Sequence, residues 1–201
     1  MKAVGIVAEY NPFHNGHLYH LQTTKNLANL PVVAVMSCSF MQRGEPAFLD
    51  KWQRARLAVQ NGVDLVVELP TAFSLRSAEF FASGAVQVMQ AMGCVSHLSC
   101  GVETPSTNFI ELAKIVTSPE FQSTLQSFLA DGLTYAAAYE KALQNLANAA
   151  NLNTPNDILA LEYSKALQNT NITPIFIRRE QANYNDAEIT GSIASATAIR
   201  K

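Results

Sequence analysis

At 201 residues, 48% hydrophobic and 15% charged, the chain has enough apolar matter for one sizeable α/β core, which excludes a disordered segment. Its 14 Lys and Arg against 16 Asp and Glu give a formal net charge of −2, which excludes a general coat for nucleic acid but not a local basic site. No apolar run reaches the length of a membrane span, and Glu9, Asn11 and His14 interrupt the first apolar segment before it could act as a signal sequence, so the cytoplasm is the expected location.

In chain order, the apolar run Ala3–Ala8 predicts a first strand. It leads directly into Glu9-Tyr10-Asn11-Pro12-Phe13-His14-Asn15-Gly16-His17. Apolar residues then recur at Leu18, Leu21, Leu27 and Leu30, which predicts a helix from about Gly16 to Leu30. A second strand spans Pro31–Met36, and Ser37–Leu49, with Gly44 and Pro46, reads as an irregular loop. A helix over Asp50–Asn61 starts on Asp50 as its N-cap, and a third strand, Asp64–Leu69, stops at Pro70. A helix over Ala78–Met92 and a strand over Val95–Ser99 follow, the latter entering a turn at Gly101. This alternation predicts a Rossmann-like parallel sheet with right-handed crossovers. Ligands would bind beyond the carboxyl ends of the strands, where Asn11–His17, Ser37–Gly44 and Ser99–Gly101 converge.

The Ala-, Leu- and Gln-rich stretch 108–168 reads as four helices, Asn108–Thr117, Glu120–Asp131, Thr134–Asn148 and Asn156–Gln168. It is expected to be a helical insertion packed on the sheet of a single domain. The chain returns to a strand at Ile172–Arg178 and crosses a polar loop, Arg179–Ser192, to its last segment, Ser192–Lys201.

Two regions carry chemistry. His14 and His17 sit at a strand-to-helix junction with Gly16 between them. A helix N-terminus offers unpaired N–H groups and a positive dipole end, a glycine lets a phosphate chain approach, and imidazoles donate to phosphoryl oxygens. The plainer alternative is a pair of turn and cap histidines. His20 reads as a packing or surface residue. The three histidines stand three residues apart, a step that drifts around a helix without a nearby Cys or acidic partner, so no metal site is expected. At the other end, Ser195, Thr197 and Arg200 suit a helix start that holds phosphate oxygens, though a plain N-cap with a basic tail would look the same. Cys38, Cys94 and Cys100 form no Cys-x-x-Cys and are expected to be free thiols. Among loop cations, Arg43 could reach a phosphate or a carboxylate substrate. Lys51 and Arg54 lie in a cluster that more often marks a solvated helix face. Arg178 and Arg179 end a strand on the ligand side.

His-x-Gly-His after the first strand and Ser-x-Thr-x-Ile-Arg near the chain end resemble the two signatures of the HxGH nucleotidyltransferase superfamily. The second signature usually reads Ile-Ser-Ser-Thr-x-Ile-Arg, and here Ala196 takes the second Ser position. Within it the chain is most similar to the tRNA(Met) cytidine acetate ligase family. That resemblance is carried by Gly5–His17, Met36–Ala47, Asp50-Lys51-Trp52-x-Arg54-Ala55, Ser99-Cys100-Gly101, Thr154-Pro155-Asn156-Asp157 and Ser195–Lys201. Family members are longer, so the resemblance implies that tRNA recognition lies mainly beyond these residues.

The resemblance implies an ATP site made by Val7, Ala8, Glu9, Tyr10, Asn11, Pro12, Phe13, Asn15, Gly16, His20, Gly101, Asn156, Arg178 and Arg179. His14 and His17 would be catalytic, and Ser195, Thr197 and Arg200 would hold the outer phosphates. Arg43, Lys51 and Arg54 are candidates for acetate or RNA phosphate. The implied substrates are ATP, with Mg²⁺ arriving on it, acetate, and the wobble cytidine of elongator tRNA(Met), with acetyl-adenylate between them. Two alternatives stay open: an adenylyltransferase that makes a dinucleotide cofactor, and a non-catalytic module that binds ATP or RNA.

Overall fold

The structure is a computed structural model that describes residues 2–147, 152, 154–180 and 196–200. Five Val-, Ile- and Ala-rich segments form one parallel sheet in the order β3-β2-β1-β4-β5. They are β1 (Ala3–Ala8), β2 (Val32–Ser37), β3 (Leu65–Leu69), β4 (Val95–Val102) and β5 (Thr173–Arg178). The helices are α1 (Asn15–Ala28), α2 (Lys51–Gln60), α3 (Thr71–Ser74), α4 (Ala78–Met92), α5 (Phe109–Thr117), α6 (Pro119–Ala130), α7 (Tyr135–Ala147), α8 (Pro155–Leu167) and α9 (Ala196–Arg200). None of the described helices is long and apolar enough to cross a membrane.

The period of two along each strand divides the core into two layers. Val4, Ile6, Val32, Ala34 and Met36 face Leu21 of α1 and Ala58 of α2. Val35, Leu98, Cys100 and Val102 face the other side, where Phe81, Ala85 and Met89 of α4 and Ala160, Leu161 and Tyr163 of α8 cover them. Gly5 makes this second layer possible. A Cβ there would lie 2.5 Å from the Met89 sulfur, so the bare backbone lets α4 approach β1. Helices α5, α6 and α7 stack outward from α8, with Phe109, Phe121, Ala138 and Ala142 in the same continuous core.

Chain direction places the site. β1 pairs with β2 on one side, Val4 opposite Val32, and with β4 on the other, Gly5 opposite Leu98. The connections leave β1 in opposite senses, which opens a crevice at its carboxyl end. The third strand ends as expected before Pro70, but the chain then makes the helical turn α3, which the sequence pattern did not suggest. β4 also continues through Gly101 to Val102, where a turn was expected. Pairing with β5, Gly101 opposite Ile177 and Val102 opposite Arg178, keeps it extended.

Arg54 departs most from the expectation of a contact for acetate or RNA phosphate. It is fully buried. Its Nε donates to Leu49 O at 3.1 Å, Nη1 to Glu9 O at 2.6 Å, and Nη2 to Ser37 O at 3.1 Å and to Cys38 O. The Glu9, Ser37 and Cys38 carbonyls stand where β1 and β2 end, and Leu49 O stands just before α2. The guanidinium fork supplies the missing donors, and no face of it is left for a ligand. Replacing Arg54 with Met leaves these buried acceptors unpaired. We expect a loss of about 3–5 kcal/mol in urea unfolding, against about 0.5 kcal/mol or less for exposed Arg56→Ala.

Candidate active site

Helix α1 begins on a reciprocal pair of imidazoles. His14 is its N-cap, in extended conformation with φ −143° and ψ 175°. Its Nδ1 accepts from the Gly16 N–H at 3.1 Å, and His17 Nδ1 accepts from the His14 N–H at 3.3 Å. Ser/Thr and Glu make this box in most helices; here two histidines do. Their rings stack at 3.7 Å with 25° between planes. Because each Nδ1 is an acceptor, each neutral ring carries its proton on Nε2. Both rings are thereby turned into fixed N–H donors.

Aromatic neighbours pack against His17, while both histidines stay half-buried at the cavity. The Tyr10 ring meets His17 edge-on at 5.0 Å, and Phe13 lies 5.7 Å from it. Tyr10 is buried with φ 45°, a left-handed conformation that costs a bulky residue about 1–3 kcal/mol. Burial lowers the pKa of His14 to about 4, and the charge of Arg179 adds to the effect. His17 lies well below its ordinary value, through burial first and then His14, His20 and Arg179. His20 is lowered to about 4 by burial and Arg179, with its Nε2 3.0 Å from Ser99 Oγ inside the fold.

The pair opens into a cavity of about 260 Å³ at the carboxyl ends of β1, β4 and β5. Val7, Ala8, Glu9, Tyr10, Asn11, Gly16, His20, Arg43, Gly101, Asn156, Arg178, Arg179 and Arg200 line it together with His14 and His17. Glu9 Oε1 accepts from the Gln42 N–H at 2.6 Å, which ties the loop after β2 to the end of β1. Burial raises the Glu9 pKa, and the Gln42 N–H and the charges of Arg54, Arg43 and Arg200 oppose that rise. Arg200 Nη1 donates to Asn11 O at 2.5 Å, so α9 meets the loop after β1 at the cavity. On the far wall, a Cβ on Gly101 would lie 3.0 Å from Arg179 Cγ, so the glycine lets that side chain lie across β4.

Several expected site residues fall elsewhere. Phe13 supports Tyr10 and His17 from behind, and Pro12 and Asn15 are not in the wall. Lys51 is also outside the cavity, with Nζ 2.6 Å from Glu68 Oε2 and 5.4 Å from the Trp52 ring centre. Ser195, the loop residues 181–195 and the Thr197 side chain lie outside the described residues. Asn156 does line the cavity, in the first turn of α8 after its N-cap Thr154, and its Nδ2 donates to Glu103. Sequence reasoning missed Met41, Gln42, Tyr163 and Glu180 in the wall. Tyr163 was readable in principle, since Asn156, Leu159 and Tyr163 follow at helical spacing on one face of α8. Among the described residues, no group of three or more His, Cys, Asp and Glu is placed to hold a metal ion.

A family profile described as HIGH Nucleotidyl Transferase matches residues 1–201. The chain belongs to that family. The family's histidine signature is the capping pair of α1, so its hallmark residues here also build the fold. A curated relative from Leuconostoc mesenteroides, named tRNA(Met) cytidine acetate ligase, is 49% identical over the whole chain, which covers 51% of that relative. The crystal structure of apo Thermotoga maritima TmcAL superposes with a TM-score of 0.92 at 40% identity, the chain covering 51% of it. The same Thermotoga protein bound with alpha-thio ATP gives a TM-score of 0.87 at 39% identity, over all of this chain and 50% of that one. The chain thus spans about half the length of the relatives it matches.

The depressed histidines make stability depend on pH. Unfolded histidines take up protons near 6.5, whereas folded His14 and His20 do so only near 4. Their contribution is complete above 6.5 and is lost as the pH falls toward 4. The unfolding free energy from urea titration should therefore drop from pH 7 to pH 5, by up to about 1.4 kcal/mol per pH unit for each histidine. His20→Gln should flatten that dependence; an unchanged slope would show that His20 is not buried neutral.

Proposed function

We propose that residues 1–201 carry the ATP-dependent acetate-activating centre of a tRNA(Met) cytidine acetate ligase. The observation that carries the chemistry is the stacked, neutral His14–His17 pair, with each Nδ1 taken by the backbone and each Nε2 left to donate, in the wall of a cavity that Arg178, Arg179 and Arg200 also line. The name of the relatives supplies the acid and the acceptor. A solved relative bound with alpha-thio ATP supports ATP as the nucleotide.

In this reading, adenine and ribose lie along the Val7–Glu9 backbone, Gly101 and Asn156. His14 and His17 hold the phosphates. Ser195, Thr197 and Arg200 take the β- and γ-phosphates, and Mg²⁺ enters with the nucleotide. An acetate oxygen attacks the α-phosphorus in line, the bond to pyrophosphate breaks, and acetyl-adenylate forms. His17 donates to the α-phosphoryl oxygens as charge builds there. The N4 amine of the wobble cytidine then attacks the acetyl carbon, AMP leaves, and the amine gives up a proton. Catalysis rests on positioning and fixed dipoles, with no covalent enzyme intermediate.

The test is ATP–pyrophosphate exchange. Exchange should require acetate and should not be supported by nicotinamide mononucleotide or phosphopantetheine, whose activity would favour a cofactor adenylyltransferase. His17→Ala should slow acetate-dependent exchange by roughly two to three orders of magnitude while ATP binding changes little, because the contact matures in the transition state. Near-normal exchange in that variant would remove His17 from the mechanism.

Acceptor binding is a separate matter. A net charge of −2 is poorly suited to a phosphate backbone. We place most of the tRNA affinity in the part of the relatives that lies outside the match. Residues 1–201 should then bind tRNA(Met) weakly, with little preference over other tRNAs. Filter binding across a salt series checks this, and tight, salt-resistant, selective binding would move recognition into these residues.

A further inference from the structure

One carboxylate behind the cavity wall organises the groups that face the nucleotide in the reading above, on which this inference rests. Glu103 follows β4 directly. Its Oε1 accepts from Asn156 Nδ2 at 2.5 Å and lies 3.5 Å from Arg179 Nε. Its Oε2 accepts from Thr154 Oγ1 at 3.1 Å, and Arg179 Nη1 reaches Asn156 Oδ1 at 3.4 Å. Three side chains from the start of α8 and the end of β5 therefore converge on a residue that the sequence signatures leave out.

We propose that Glu103 is a positioning residue for nucleotide binding: it fixes the Asn156 amide in one orientation and aims the Arg179 guanidinium across the cavity toward the His14–His17 pair. With Nδ2 committed to Glu103, Asn156 must turn Oδ1 toward Arg179. Arg179 is confined between this carboxylate, the Asn156 carbonyl and the bare face of Gly101. Its charge depresses the pKa of His14, His17 and His20 alike, so its field covers the place where phosphates would meet the histidines. The contacts of Arg179 are long, 3.4 and 3.5 Å, and both partners of the ion pair are partly exposed. A phosphate can therefore take over the guanidinium without breaking a tight pair.

A merely architectural role for the Glu103 side chain is already covered by other groups. Buried Asp157 accepts from the N–H groups of Glu103 and Thr104 at 2.9 and 3.2 Å. The Arg179 N–H donates to Val102 O at 2.9 Å. The backbone at both positions is thus held independently of the Glu103 carboxylate.

The test is calorimetric titration of ATP into residues 1–201. Glu103→Ala should weaken ATP roughly 10–100-fold, the size of one charge-assisted hydrogen bond. Glu103→Gln, which keeps an acceptor for Asn156 but no charge for Arg179, should recover part of that loss. In an Asn156→Ala, Arg179→Ala background the Glu103→Ala effect should shrink to within about twofold, since nothing is left to position. Melting curves should leave Glu103→Gln close to the parent, while Asp157→Asn, which weakens the backbone anchor, melts earlier. Unchanged ATP affinity in Glu103→Ala, or an equal loss in both backgrounds, would overturn the inference. A parent chain that binds no ATP would instead overturn the reading of the cavity.

Discussion

Each histidine of the α1 capping pair has two ring nitrogens, and the fold uses one of them. Nδ1 of His14 and Nδ1 of His17 accept backbone N–H groups that would otherwise be orphaned at the helix start. That use decides the tautomer, the ring orientation and the stacking, and so decides what Nε2 can do. A Ser–Glu box would start the helix equally well, but it would put a negative charge where the proposed reading places the phosphates. Two neutral imidazoles start the helix and leave the dipole end uncancelled. Structural and chemical roles are alternatives on paper; here they are the two sides of one ring.

The surroundings of the pair extend the same economy. Arg54 holds the carbonyls where β1 and β2 end, which frees the loop after β2 to fold back over the site through Gln42 and Glu9. Its positive charge is used up inside the fold. The cations that remain on the cavity wall, Arg43, Arg178, Arg179 and Arg200, arrive from three separate parts of the chain. An overall acidic protein can hold a polyanion in this way because the local arrangement, not the sum of charges, sets the potential in a cleft.

Much of the architecture was readable in the residues. Strand β1 and helix α4 have the bounds that their apolar patterns suggested, and Asp50 caps α2 through the Gln53 N–H at 2.9 Å. The parallel direction of the strands followed from their alternation with helices. The failures share one cause. Arg54 sits in a helix whose neighbours Gln53 and Arg56 are exposed, and no local pattern says that the loop 38–49 folds over its side. Gly101 looked like a turn because a lone strand would end there, but pairing with β5 carries the backbone on. In each case a partner distant in sequence determined the result.

By itself the sequence determined the period of the elements, the histidine signature at the first strand-to-helix junction, and family membership over all 201 residues. These are local properties: hydrophobic spacing, capping chemistry and the identity of a few adjacent residues. Only the tertiary structure decided which cations face the cavity, which nitrogen of each histidine is left to donate, and that Glu103 gathers Thr154, Asn156 and Arg179. Those outcomes depend on burial and on groups as far as 189 positions apart, as between the Asn11 carbonyl and the Arg200 side chain. Desolvation and hydrogen-bond geometry are properties of assembled surroundings, and no stretch of chain carries them until its partners are in place.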